Sequence, residues 1–252
     1  MTWLARVTAR ASRVLDPRTA VGLVLTVGLV TLAAASAAFA AVFDAVLDGE
    51  GVAELDRPVH DWLARHREAG LTMAMRLITD LGGAPVLIAV AVLVAAVAGR
   101  RSRSWRPVVA VGATAIGATL ITVASKAAVH RARPPLLDAV SRAGSYSFPS
   151  GHSLNSAAIY GVTAVLVWRL GRHWWVRVCT TIGVTLLVLL IGLSRLYLGV
   201  HWLTDVLAAY AVGLGWLTLV VTTVRVLEQR GAEATIGRLA RPPADTPDRA
   251  AS

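Results

Sequence analysis

Residues 176–224 read VRVCTTIGVTLLVLLIGLSRLYLGVHWLTDVLAAYAVGLGWLTLVVTTV. Two apolar runs, 176–193 and 203–224, flank the link 194–202, which carries Ser194, Arg195, His201 and Asp205 at its edges. A helix needs about 20 apolar residues to cross a hydrocarbon core of about 30 Å. Each run therefore reads as a membrane span, and the link as a turn outside the hydrocarbon. Upstream, further runs at 19–43, 83–98, 107–124 and 154–170 have the same character, making six in all. Gly112, Gly117, Gly161, Gly183, Gly213 and Gly215 lie inside the runs. Small residues let helices approach closely in lipid. The expected fold is all-α, a polytopic membrane protein built as a six-helix bundle.

Composition agrees. The chain has 252 residues, 56% of them hydrophobic and 16% charged. Soluble domains carry about 25% charged residues. The mean hydropathy is +0.62. A disordered chain and an ordinary soluble enzyme are excluded, and the single cysteine, Cys179, excludes a disulfide scaffold in cis. The net charge of +10 does not point to nucleic acid, because the basic residues are not gathered on one soluble face. They fall in short clusters between runs: Arg6, Arg10, Arg13 and Arg18; Arg100, Arg101, Arg103 and Arg106; Arg169, Arg172 and Arg177; and Arg225, Arg230, Arg238, Arg241 and Arg249. The positive-inside rule puts these segments, with both termini, in the cytoplasm of a multi-pass plasma-membrane protein. Trp105, Trp168, Trp174 and Trp175 beside them suit an interfacial belt. The first run is too long for a signal-peptide core of about 7–15 residues and reads as an uncleaved anchor. Residues 1–18 form an N-terminal tail and 19–224 the membrane body. The polar segment 225–252, with Pro242, Pro243 and Pro247, is expected to lack structure.

The loops 44–80, 125–153 and 194–202 then lie on the outer side. Within the outer region 44–82, Val52, Leu55, Val59, Trp62 and Leu63 recur at helical spacing, with Asp56, His60, Asp61 and Arg65 between them. This predicts an amphipathic helix on the outer surface, a structural cap or, alternatively, a lid over a lipid entrance.

Three polar groups share that side. The first runs from Lys126, the only lysine in the chain, to Arg133-Pro134. If the third helix continues, Lys126 and Arg133 share a face. Pro134 biases Arg133 away from helix, so that it bends back over Lys126. Two fixed cations make an anion clamp, although either could simply snorkel. In the second group, Pro149-Ser150-Gly151-His152, Ser150 is a natural N-cap and a helix start offers N–H groups to phosphate. In the third, His201 and Asp205 are spaced i, i+4 beside Ser194-Arg195. A carboxylate on one ring nitrogen leaves the other nitrogen's lone pair for attack.

Taken together, the three groups resemble the signature of the type 2 phosphatidic-acid phosphatase superfamily. That signature is a Lys and, after six intervening residues, Arg-Pro; then Pro-Ser-Gly-His; then Ser-Arg, five residues, His, three residues and Asp. Every signature position is filled between Lys126 and Asp205. The resemblance implies that His201 attacks phosphorus, Asp205 orients His201, and His152 protonates the leaving oxygen. It also implies that Lys126, Arg133, Arg195, Ser150 and the Gly151 backbone hold the phosphoryl oxygens, with Ser194 in a positioning role. No cofactor or metal is expected, since three cationic side chains supply the positive charge. The implied substrate is a lipid phosphate presented at the bilayer surface. Phosphatidic acid, phosphatidylglycerophosphate and polyprenyl pyrophosphates such as undecaprenyl pyrophosphate are the family's substrates, with a slight preference here for the polyprenyl class. A phosphotransferase on the same scaffold and a non-catalytic transporter are the rival readings. Oligomeric state is not legible.

Overall fold

In the computed structural model, residues 20–135 and 145–239 are described, with side chains over 22–135 and 145–229. The arginines at 6, 10, 13, 18, 241 and 249, the side chains of Arg230 and Arg238, and the prolines at 242, 243 and 247 lie outside that description. Eight α-helices and no strand are present among the described residues. They are α1 (Ala20–Asp48), α2 (Asp56–Arg65), α3 (Ala69–Leu81), α4 (Ala84–Ser102), α5 (Arg106–Val129), α6 (Gly151–Leu170), α7 (Trp174–Tyr197) and α8 (Leu203–Leu239). A short 3-10 turn, Gly51–Leu55, precedes α2.

Five of these helices are long and apolar enough to cross a membrane: α1, α4, α5, α7 and α8. α6 falls short because its first turns carry His152, Ser153, Asn155 and Ser156. The chain divides into two compact units. One is 28–221, the helical body that holds all three polar groups; the other is 1–27 with 222–252, whose described parts are the start of α1 and the end of α8.

Three expectations are corrected here. The outer loop 44–80 is not all loop: Ala69–Leu81 is a helix of its own, and the chain breaks at Gly82-Gly83 before the second span. Pro85 in the first turn of α4 suits a helix start, where a missing N–H has no partner to lose. The polar segment from 225 is helical as far as Leu239. Ala, Leu, Glu, Gln and Arg dominate it and prolong a helix already nucleated, and the first proline is Pro242. The stripe at 52–63 is divided between the 3-10 turn and α2 and is only partly in the expected phase, with Val59 and Leu63 packed inward. Asp56, His60 and Leu63 are buried, whereas Leu55 and Trp62 face outward.

Packing in the body follows small residues, as expected, though not at every glycine named. A Cβ on Gly117 would stand 2.0 Å from the Trp216 ring, and one on Gly161 would stand 2.4 Å from Leu217. Gly213 lies against Ala157 and the Leu154 carbonyl. Gly112 and Gly183 have nothing within 4 Å, and Gly215 makes only ordinary contacts. Gly192, not anticipated, makes the closest approach: a Cβ would lie 1.8 Å from the Tyr210 hydroxyl, which donates to the Val188 carbonyl at 2.8 Å.

Gly192→Ala is expected to lower the detergent-solubilised melting temperature, at a loss of about 1–3 kcal/mol for overpacking. Gly183→Ala should leave it unchanged. Thermal unfolding of the two variants side by side checks this.

Candidate active site

The site lies where the end of α5, the start of α6, the end of α7 and the start of α8 meet. The His–Asp spacing works as the sequence implies. His201 Nδ1 is 3.2 Å from Asp205 Oδ2, and both side chains are buried. With the carboxylate ionised, Nδ1 carries the proton and Nε2 keeps its lone pair. The Trp202 amide donates to the same carboxylate oxygen at 3.0 Å. Burial lowers the His201 pKa from 6.5 to about 4, against the opposing pull of its bond to Asp205. The ring is therefore neutral at physiological pH. Nε2 faces Arg133 Nη1 at 3.2 Å.

The two cations of the first motif converge, but not along a helix. α5 ends at Val129, and His130 sits in the left-handed region at φ 50°. A helix cannot run through that residue, so Lys126 and Arg133 do not share a helical face. They share the segment at 145–146 instead. Lys126 Nζ donates to Ser145 Oγ at 3.3 Å and to the Tyr146 carbonyl. Arg133 donates from Nε to the Ser145 carbonyl at 2.5 Å and from Nη2 to the Tyr146 carbonyl at 3.2 Å. Its Nη1 also reaches the Val200 carbonyl at 2.5 Å. Burial lowers the Arg133 pKa below the usual guanidinium range, and Asp205 opposes that shift.

Arg195 comes from the last turn of α7 and is buried. Its Nη1 donates to Thr79 Oγ1 at 2.8 Å. Its Nε is buried and has no hydrogen-bond partner among the described residues. A buried guanidinium N–H without an acceptor is rare in folded proteins and suits a bound anion.

Ser150 caps α6 by position, though its hydroxyl makes no capping bond; that hydroxyl pairs with Ser153 Oγ at 3.0 Å. Its amide does more, donating to the Asp205 carbonyl at 3.1 Å and so fastening the start of α6 to the start of α8. His152 follows in the first turn of α6, and the charges of Arg195, Arg133 and Lys126 reach its ring, as does His201. Gly151 and Gly82 flank it; a Cβ on Gly82 would come within 3.4 Å of His152 Cδ2 and 2.5 Å of Ile191 Cγ2. Ser194 stands apart: its buried hydroxyl donates to the Ile191 carbonyl of its own helix at 2.6 Å.

Several participants went unread in the sequence. Thr79 holds Arg195 from α3, an element the apolar pattern hid. Arg131, two residues before Arg133, donates to Asp205 Oδ1 at 2.6 Å and to Asp56 Oδ2 at 2.7 Å. Thr204 donates from its amide to Asp56 Oδ1 at 2.9 Å and from its hydroxyl to Asp56 Oδ2 at 2.7 Å. Asp56 stands four residues before His60 in the sequence, yet its carboxylate goes to Arg131 and Thr204. Beside His152 opens a cleft of about 400 Å³ lined by Leu87, Ile88, Val92, Asn155 and Ile159.

The chain is similar to known proteins. A sequence model of the PAP2 superfamily matches residues 107–228, which takes in all three motifs. Phosphatidylglycerophosphatase B of Bacillus subtilis is 29% identical over 181 residues, covering 70% of this chain and 86% of that protein. The crystal structure of a transmembrane PAP2-type phosphatidylglycerolphosphate phosphatase from Bacillus subtilis superposes with a TM-score of 0.66 at 25% identity, over 83% of this chain and 96% of that one. Aquifex aeolicus LpxE, at 20% identity and a TM-score of 0.52, covers 66% of this chain and 94% of its own, and shares the fold. With its Lys126-to-Asp205 motifs gathered at one end of a helical body, the chain belongs to the type 2 phosphatidic-acid phosphatase (PAP2) superfamily and is a membrane lipid phosphatase.

Proposed function

We propose that the protein hydrolyses the phosphomonoester of phosphatidylglycerophosphate through a phosphohistidine on His201. The observation that carries the reading is the buried His201–Asp205 pair with Nε2 turned toward Arg133. Nε2 attacks phosphorus as the bond to the glycerol oxygen breaks, and His152 gives that oxygen its proton. Water then attacks the phosphohistidine, His152 takes up the water's proton, and inorganic phosphate leaves. Lys126, Arg133 and Arg195 stabilise the charge that the phosphoryl oxygens carry in the transition state, which is the larger share of catalysis in phosphoryl transfer. Ser150 and the Gly151 amide at the start of α6 complete the cradle. Ser194 supports the end of α7.

The names of the Bacillus relatives favour phosphatidylglycerophosphate over the polyprenyl pyrophosphate that the sequence slightly prefers. The apolar cleft beside His152 accommodates a lipid tail next to a headgroup at the cationic pocket. In this reading α6 is the sixth span, its polar first turns lining the site. The arginine clusters at 100–106 and 169–177 occupy the links α4–α5 and α6–α7, at the end of the body away from the site. Both termini are then cytoplasmic and the site faces outward.

His201→Ala should abolish phosphate release and acid-labile phosphoenzyme while expression persists. A panel of phosphatidylglycerophosphate, phosphatidic acid and a polyprenyl pyrophosphate, run on both proteins without an acceptor alcohol, measures it. Turnover retained by the variant would falsify the nucleophile assignment, and release seen only with an added lipid acceptor would mark a phosphotransferase.

Because the His201 pKa lies near 4 rather than 6.5, its lone pair persists well below neutrality. Phosphoenzyme formation in a single turnover should fall less than about threefold between pH 7 and 5.5. An ordinary imidazole would lose about tenfold over that interval. Since three side chains supply the positive charge, EDTA should leave turnover intact. Loss in EDTA with recovery on added Mg²⁺ would refute this.

A further inference from the structure

Asp205 is buried, and its two oxygens have different partners. Oδ2 takes the His201 ring and the Trp202 amide. Oδ1 takes Arg131 Nη1 at 2.6 Å. The same guanidinium extends Nη2 to Asp56 Oδ2 at 2.7 Å and shares Nη1 with Thr204 Oγ1 at 2.7 Å. Asp56 belongs to α2, in the outer segment, more than a hundred residues from Asp205 in the chain. It is also buried, and it binds the amide and hydroxyl of Thr204, one residue before Asp205. Trp202 closes the assembly: its ring lies 6.0 Å from the Arg131 guanidinium carbon, and its Nε1 donates to the Ala132 carbonyl at 3.0 Å.

We propose that Asp56 and Arg131 are positioning residues for the catalytic pair, a carboxylate–guanidinium brace running from α2 to Asp205 Oδ1 that fixes the carboxylate plane against His201. The brace rests on the assignment of His201 and Asp205 above. Its logic is geometric. A carboxylate turning about its last torsion presents either oxygen to a ring, and one oxygen held by His201 and the Trp202 amide leaves the plane to be set by the other. Arg131 fixes that other oxygen with a charge-assisted bond, and a planar fork spans two carboxylates where an ammonium cannot. Asp56 sets the fork in turn, by neutralising its second amino group and by tying the backbone just before Asp205. α2 is then neither a passive cap nor a lid. A misplacement of about 1 Å in a catalytic group is enough to lose about 10²-fold in rate.

The test compares Arg131→Gln, Arg131→Lys, Asp56→Asn and the double variant Asp56→Asn/Arg131→Gln with wild type and His201→Ala. The readouts are kcat, KM, inhibition by inorganic phosphate and melting temperature. Arg131→Gln should lower kcat about 10²-fold. KM and the phosphate inhibition constant should stay within about threefold, since the oxygens of the phosphoryl group are held by other side chains. Arg131→Lys should recover only part of kcat. Asp56→Asn keeps a carbonyl for the Thr204 amide and should lose kcat about tenfold, and the double variant should be no worse than Arg131→Gln alone, as two members of one chain of contacts behave.

Unchanged kcat in any folded Arg131 variant overturns the brace. So does a loss that appears in KM and phosphate inhibition, or one that is additive in the double variant. A kcat loss that tracks melting temperature across all variants also overturns it, leaving a purely structural role. These failures differ from failure of the underlying assignment, in which wild type is inactive or His201→Ala still turns over.

Discussion

An ionised carboxylate with no access to water stands only if donors replace its hydration, and that requirement organises this end of the molecule. Asp205 is met by the His201 ring, the Trp202 amide and the Arg131 guanidinium. The backbone of the same residue accepts the Ser150 amide. Those partners come from the segment after α5, the start of α6 and the turn before α8. Satisfying one buried charge therefore brings together pieces of chain that the sequence scatters from Arg131 to Asp205.

The rest of the body supplies what lipid demands. Its helices carry their hydrogen bonds internally, leaving apolar side chains such as Leu93, Ile116 and Leu186 to face outward. Helices close together where a glycine gives way to a large neighbour, as Gly117 does for Trp216 and Gly192 for Tyr210. The polar groups collect at helix ends, where backbone N–H and C=O groups are unpaired in any case. Arg133 shows the benefit: three carbonyls, at Ser145, Tyr146 and Val200, hold it beside His201.

Legibility in the sequence followed the periodicities. Apolar run length gave most of the helices, and the i, i+4 step gave His201 with Asp205. What failed to show was any contact set by chain reversal. Pro134 implies that Arg133 leaves the α5 axis, but the turn comes earlier, at His130, a position that the sequence pattern does not single out. Residues 69–81 read as loop because their apolar content merges with the next run and only Gly82-Gly83 separates them. The α2 stripe was legible as a helix but only partly in its phase, because a hydrophobicity rule assigns the apolar face inward. Here the inward face carries Asp56 and His60, and the outward face carries Leu55 and Trp62. The outward face also carries Arg57, Asp61 and Arg65, and Val59 and Leu63 still pack inward, so polar and apolar residues divide both faces. Ser194 is a hydroxyl near the end of a helix that bonds its own preceding turn, a contact that residue type alone does not single out.

Lys126 is the only lysine, and it sits half-buried where α5 ends, at the His201 end of the body; Cys179 is the only cysteine, and it lies exposed near the start of α7, at the far end of the body. The molecule is thus born with one side-chain amine and one thiol at opposite poles. Two orthogonal reagents, neither able to cross a bilayer, would read out its topology without a single engineered residue.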